Sequence, residues 1–263
     1  VCLLLVCIAG IAALERDAEA ISSSLFDRPR ERALGLDPTG VSLWRGAPGG
    51  SSGTSFRCEA GEWRLYGVDG LRVHAAVAEA GRRGWSVRLS AAVLDAPVGQ
   101  ESEFAAGVTL ALAERIRIGG TVEWETASLE GCESASVAAL SVSALVRLAD
   151  RAALVTRASN IRLAGEASPG AGVSIGAVLS PESTLSAVAS FSVSPAGGAS
   201  FRAASRIELG SYVLFSLGYE GDTGSLDASV WIRLGGLGLD AGSSFHPVLG
   251  VSHGVFVSWG RGW

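Results

Sequence analysis

Lysine and methionine are absent from these 263 residues, and all 21 basic residues are arginine. Charged residues make up only 18% of the chain, and the net charge is −5. With no basic run and no basic balance, no nucleic-acid partner is expected. Without lysine, Gly35, Gly40, Gly46, Gly49 and Gly50 cannot form a phosphate loop, and no strand–Gly–helix context surrounds them. Of the four cysteines, Cys2 and Cys7 fall in the apolar N-terminal segment, and two others 74 positions apart make no disulfide framework. Cys58 and Cys132 are read with two outcomes open, a periplasmic disulfide or two unpaired thiols. The three histidines lack companion Cys or carboxylate clusters at ligand spacing, so neither metal nor cofactor is expected. No nucleophile motif accompanies the many serines, so no enzyme is expected. Past the first residues no apolar run reaches the length of a spanning helix.

What the chain does have is apolar content without such runs: 48% hydrophobic residues, a mean hydropathy of +0.35 and 35 glycines. From Ser51 onward the apolar residues fall on alternate positions in short runs broken by Gly, Pro, Asp and Ser. Period 2 is the strand signature. One clear run sets Leu226, Ala228, Val230, Ile232 and Leu234 against Ser225, Asp227, Ser229, Trp231 and Arg233. When almost every strand alternates in this way, a closed barrel with lipid outside and a polar interior is the reading that fits.

Three stretches follow. Residues 1–20 read as a signal peptide, an apolar segment ending near small residues. Residues 21–50 form a polar, Arg-rich segment without alternation, a candidate lumen plug. Residues 51–263 read as an outer-membrane β-barrel. The expected fold is all-β: a closed, antiparallel, up-and-down transmembrane barrel of about 14 strands, with 12 as second choice. An even count places both strand termini on the periplasmic side of a diderm (Gram-negative) outer membrane. Trp63, Tyr66, Trp124, Tyr219 and Trp259 lie near strand ends, as interfacial girdles require.

The faces are assigned by charge, because arginine at mid-membrane depth costs roughly 2–4 kcal/mol. The rows Leu71-Val73-Ala75-Val77, Trp85 to Val93, Phe104 to Leu112, Ile116 to Trp124 and Leu140 to Leu148 are read as outward. So are the later rows from Val173 to Trp259. The run from Ala152 to Leu163 is irregular. The opposite parity supplies the expected lumen charges: Arg72, Arg88, Glu103, Arg115, Arg117, Glu123, Glu125, Arg147, Arg202, Arg206, Glu208, Asp227, Arg233 and Asp240. His74 is read as a lone lumen residue. The lumen charges are balanced in sign, so pairing across strands is preferred over a selectivity constriction.

The C-terminal third carries Ile207-Glu208-Leu209-Gly210, then Leu214 with Gly218-Tyr219, then Gly236-Leu237-Gly238-Leu239-Asp240-Ala241. It closes with Phe245-His246-Pro247-Val248-Leu249-Gly250-Val251-Ser252-His253. Together with Asn160 at a strand end, these residues resemble the PorV/PorQ-type outer-membrane barrels, relatives of FadL-type transporters of hydrophobic substrates. The stretch Leu43 to Gly49 departs from the Asn-Pro-Ala-Gly pattern common near the N-terminus of such barrels. The resemblance implies a barrel for transport of hydrophobic compounds or for secretion-system support, with His246, Pro247, Gly250 and His253 as a family-motif turn. Implied partners are outer-membrane lipid and either a secretion-system component or a small hydrophobic ligand. Two alternatives stay open: a plugged structural or partner-binding barrel, and a secreted soluble β-sandwich.

Overall fold

A computed structural model describes residues 55–82, 84–149, 151–165, 171–179, 184–193, 198–210 and 212–261. The candidate signal peptide (1–20) and plug (21–50) lie outside them. Every described element is a strand: β1 (Ser55–Arg64), β2 (Arg72–Arg82), β3 (Trp85–Ala96), β4 (Gly99–Ala113), β5 (Ile116–Leu129), β6 (Ala135–Ala149), β7 (Ala152–Gly165), β8 (Gly172–Leu179), β9 (Leu185–Val193), β10 (Ala199–Leu209), β11 (Val213–Glu220), β12 (Ser225–Leu234), β13 (Leu237–His246) and β14 (Gly250–Arg261). Each strand pairs antiparallel with its sequence neighbours, and β1 pairs with β14, so the sheet closes into an up-and-down barrel. Fourteen strands, not twelve, complete the ring.

Closure removes every sheet edge, which is what a sheet surrounded by hydrocarbon must do with its backbone polar groups. The two rims differ. At the rim where β1 begins and β14 ends, strands join through tight turns such as Glu114–Arg115 and Gly235–Gly236. The opposite rim carries longer connections, among them residues 65–71, 130–134 and 221–224.

Alternation sorts the side chains. Trp85, Leu89, Phe104, Leu110, Trp124, Phe191, Phe215, Leu217, Leu226 and Val257 are exposed on the outer wall, while Ser86, Ser90, Thr121, Ser141, Ser216, Ser229 and Ser258 are buried on the inner one. The outward apolar rows span about nine residues, as from Trp85 to Val93 or Ile116 to Trp124; tilted by roughly 40°, such a row spans on the order of 23 Å, close to the apolar band of an outer-membrane barrel.

β7 is irregular for a definable reason. Val142 faces Ala158 and Leu140 faces Ile161, so Ser159 and Asn160 together oppose Ser141. That is a β-bulge, and Asn160 sits in the left-handed region (φ 56°) that asparagine tolerates better than most residues. The extra residue switches parity, so Ala158 and Ile161 both face outward. This breaks the two-residue pattern between Ala152 and Leu163.

One row is reversed with respect to its sequence assignment. Val73 and Val77 are only 2% and 6% exposed, and Ala75 is buried with them. They face the interior, and Arg72 and His74 face outward. The registers agree: Val73 is opposite Trp63 on β1 and Leu94 on β3. At the loop-side rim an outward charge is beyond the hydrocarbon, so the cost that guides the assignment at mid-depth does not apply. Leu71 lies in the β1–β2 connection rather than in a strand.

Candidate functional site

The inner wall divides into three sectors. On β8 to β13 it is largely polar: Ser186, Ser190, Ser216, Ser225, Ser229 and Ser244 stand between Arg202, Arg206, Glu208, Asp227, Arg233 and Asp240, around a small apolar patch of Val178, Val188 and Ala204. Arg202 of β10 forms an ion pair with Glu220, directly opposite on β11. Arg206 reaches Glu208 along its own strand at 3.2 Å. Trp231 is a bulky inward residue here, its indole nitrogen above Gly238, where a Cβ would meet it at 2.9 Å.

The second sector, β4 to β7, is acidic. Glu103 is directly opposite Glu125, with Glu101 and Glu123 on the same face. Arg157 answers this charge from two strands away. It donates to Glu123 at 3.3 Å and to Ser141 Oγ at 3.0 Å, and Ser141 also donates to Glu123. The residue that opposes the β7 bulge thus belongs to a network spanning β5, β6 and β7. Arg117 and Arg147 face inward in this sector.

The third sector is the seam, β14 with β1, β2 and β3. Near the loop-side rim its inner wall is apolar: Trp63, Leu65, Val73, Ala75, Ala92 and Phe256 form one buried cluster, with Tyr66, Leu71 and Leu94 against it. Two aromatic–glycine pairs lock β1 to β14. Trp63 is opposite Gly254, and Phe256 is opposite Gly61. A Cβ on Gly254 would run into the Trp63 ring, and one on Gly61 would meet Phe256 at 2.5 Å. Each aromatic covers the glycine across the seam, a known way to hold register where glycine leaves a gap. The β1–β2 connection folds onto this sector: Tyr66 N–H donates to Ser252 Oγ at 3.0 Å, and the Tyr66 ring stands edge-on to His246. Deeper along the seam the wall turns charged. Arg57 donates to Glu59 at 2.5 Å, and Arg57, Glu79 and Arg88 lie side by side across three strands.

Of the charges expected in the lumen, Arg88, Glu103, Arg117, Glu123, Glu125, Arg147, Arg202, Arg206, Glu208, Asp227, Arg233 and Asp240 take inward positions in the register. Two do not. Arg72 points outward at the loop-side rim, and Arg115 occupies the β4–β5 turn. Arg57, Glu59, Glu79, Glu101, Arg157 and Glu220 also face inward, and sequence reading passed them over. Glu220 was findable as the next residue in the Ser216-Gly218 parity, and Glu101 as two before Glu103. β1 offered no such signal, because charges stand on both of its parities.

The two C-terminal histidines separate. His246 faces inward and caps its own turn, its Nδ1 accepting from the Val248 and Leu249 N–H groups at 3.2 and 3.0 Å. His253 faces outward, 3.5 Å from Ser243 Oγ. Pro247 lies against the neighbouring β11–β12 connection, where a Cβ on Gly224 would touch its ring at 3.4 Å, and Gly250 has φ 97°. His74 stands outward beside Asp95 at 3.6 Å. Among the described residues no cluster of three or more His, Cys, Asp and Glu could hold a metal ion. Cys58 and Cys132 are both free thiols, one on the outer face of β1 and the other in the β5–β6 connection. Trp124, Tyr219 and Trp259 face outward near strand ends. Trp63 does not join such a girdle, because it covers Gly254 from inside.

No protein-family model matches the chain, and no curated protein matches it. Solved barrels do. The CymD monoaromatic hydrocarbon channel superposes with a TM-score of 0.62 at 7% identity, over 90% of this chain and 97% of that one. The Pseudomonas putida toluene transporter TodX gives 0.58 at 9% identity, over 92% and 93%. The Ralstonia pickettii toluene transporter TbuX gives 0.54 at 10% identity, over 90% and 92%. At such identities the likeness is one of fold: this chain shares the closed outer-membrane-type barrel of those channels.

Proposed function

We propose that this protein is an outer-membrane barrel of a diderm bacterium that passes small hydrophobic compounds through its wall or lumen, without chemistry of its own. The observation that carries the reading is the apolar cluster on the inner wall at the loop-side rim. Trp63, Val73, Leu65 and Phe256 pack into one buried apolar cluster where the lumen opens. Beyond the two aromatic–glycine pairs that it supplies to the seam, this cluster sets apolar side chains at the mouth, which favour an apolar solute over water. The hydrocarbon channels that share the fold agree with this reading, and so does the FadL-type side of the sequence resemblance. In this orientation the longer connections face outside the cell and the tight turns face the periplasm. Outer-membrane lipid is then the partner of the outer wall, and a small hydrophobic compound the ligand of the inner one.

The test is uptake of radiolabelled toluene by cells whose own hydrocarbon channels are deleted, with this chain expressed in their outer membrane. The wild type is expected to raise the uptake rate. Leu65→Ser with Leu94→Ser, which spares the two aromatic–glycine pairs of the seam, is expected to lower it several-fold while heat-modifiable gel mobility is kept. Equal uptake with and without the protein contradicts the proposal. Secretion-system support, the other role implied by the PorV/PorQ-type resemblance, predicts instead a loss of secreted protein on deletion with hydrocarbon uptake unchanged.

A further inference from the structure

The outer wall is not uniformly ridged. Across β14, β1, β2, β3 and β4 it carries a groove of about 540 Å³, floored by Cys58, Ala60, Ala76, Ala78 and Ala91. Those five residues face outward in the register, Ala60 opposite Ala76 and Ala76 opposite Ala91. Trp259 and Val257 wall one side, and Leu89 and Phe104 the other. At the tight-turn end Phe56 stands edge-on to Trp259, ring centroids 5.8 Å apart.

The other end is open and charged. Following the same strands toward the loop-side rim, the next outward residues are Glu62 and His74, an opposed pair, and then Arg64 and Arg72, another. Glu62 serves three basic groups at once: Arg64 at 2.8 Å, Arg72 at 4.0 Å and His74 at 4.0 Å. Arg64 and Arg72 remain about half exposed or more at their side chains, so each guanidinium keeps donors for another acceptor. Asp95 of β3 stands opposite Arg72 on the same face, whereas the outward rows of β4, β5 and β12 carry Ser102, Thr126 and Leu226 at this end.

An apolar slot that runs from an aromatic pair at the tight-turn rim to two arginines at the loop-side rim has the polarity of one lipid molecule. We propose that this face holds a single phosphate-bearing membrane lipid, its acyl chain along the alanine floor and its phosphate between Arg64 and Arg72. The volume lies within the roughly 300–1,000 Å³ of small-ligand sites. Arginine's planar fork suits a phosphate bidentately. Glu62 holds the two guanidiniums side by side before the lipid arrives. The site rests on the reading of the outer wall as lipid-facing given above.

The test is native mass spectrometry of the detergent-refolded full chain titrated with dimyristoyl phosphatidylglycerol or with dimyristoylglycerol, which has no phosphate. The wild type is expected to retain one phosphatidylglycerol first. Ala60→Leu with Ala76→Leu fills the floor and is expected to lower retention at least ten-fold. Arg64→Gln with Arg72→Gln is expected to weaken phosphatidylglycerol about ten-fold, in line with the few-fold effect of each basic residue at an anionic lipid surface, and to leave dimyristoylglycerol unchanged. All three proteins are checked for heat-modifiable mobility after insertion into vesicles. Proteins that insert but bind phosphatidylglycerol equally, or that associate through this face as lipid-free dimers, overturn the lipid site alone. Failure of the wild type to insert overturns the lipid-facing reading and the site with it.

Discussion

The seam and the far wall use the same alternation to opposite effect. On β10 to β13 the outward rows are apolar, and Ser, Asp and Arg face in, with Leu214 and Trp231 among them. On β1 and β2 near the loop-side rim, Trp63, Val73 and Ala75 face in while Glu62, Arg64, Arg72 and His74 face out. Both regions obey one physical rule, that charge avoids hydrocarbon. Only the far wall keeps an apolar outward row along its full length, as on β12 from Leu226 to Leu234. The rim of the seam lies beyond the hydrocarbon, so the interior there can take the apolar residues. Parity tells that two sets of residues face opposite ways; depth decides which set is wet.

Perturbations of the two regions therefore separate in size. The largest effect is expected at the seam's inner wall. Gly254→Leu drives a side chain into Trp63, and Arg57→Ala leaves the buried Glu59 carboxylate without its 2.5 Å partner. Loss of one partner of a buried pair costs about 3–5 kcal/mol. Both variants should lower the urea midpoint of refolded barrel strongly, or abolish heat-modifiable mobility. Trp63→Ala removes an aromatic that covers a glycine and should cost about 3 kcal/mol by the same measurement, toward the low end for large-to-small core changes.

Next comes the outer wall of the far region. Leu217→Arg, outward on β11, should cost about 2–4 kcal/mol in a bilayer. His74→Arg, outward at the seam rim, should cost about 0–1 kcal/mol under the same conditions. Equal penalties for the two would erase the distinction drawn here. The smallest effect is expected from Arg64→Gln, which gives up an exposed ion pair with Glu62; a loss of about 0.5 kcal/mol or less is expected.

Most of the barrel was legible because its outward rows are long, bulky and free of charge. From Phe104 to Leu112, or from Leu226 to Leu234, no alternative facing exists. The strand count followed from those rows and from Gly- and Pro-bearing breaks between them. β2 was illegible because both of its parities are apolar, Val73-Ala75-Val77 against Ala76-Ala78-Ala80. Size then pointed the wrong way: the larger residues join Trp63 and Phe256 inside, and the alanines form a groove outside. Glu79, on the parity of Val77, is the one residue whose chemistry pointed correctly. β7 was illegible because a bulge at Asn160 shifts its phase. Cross-strand features such as Trp63 over Gly254 join residues 191 positions apart in number, and no local pattern announces them.

The most direct test of the account compares two single-cysteine proteins refolded into vesicles, each carrying a bimane label. One keeps Cys58, with Cys2, Cys7 and Cys132 changed to serine. The other carries Ser229→Cys with all four native cysteines changed to serine. The account predicts that brominated lipid quenches the label at Cys58 and aqueous iodide does not, with the reverse at position 229. Iodide quenching at Cys58 together with lipid quenching at position 229 would contradict it.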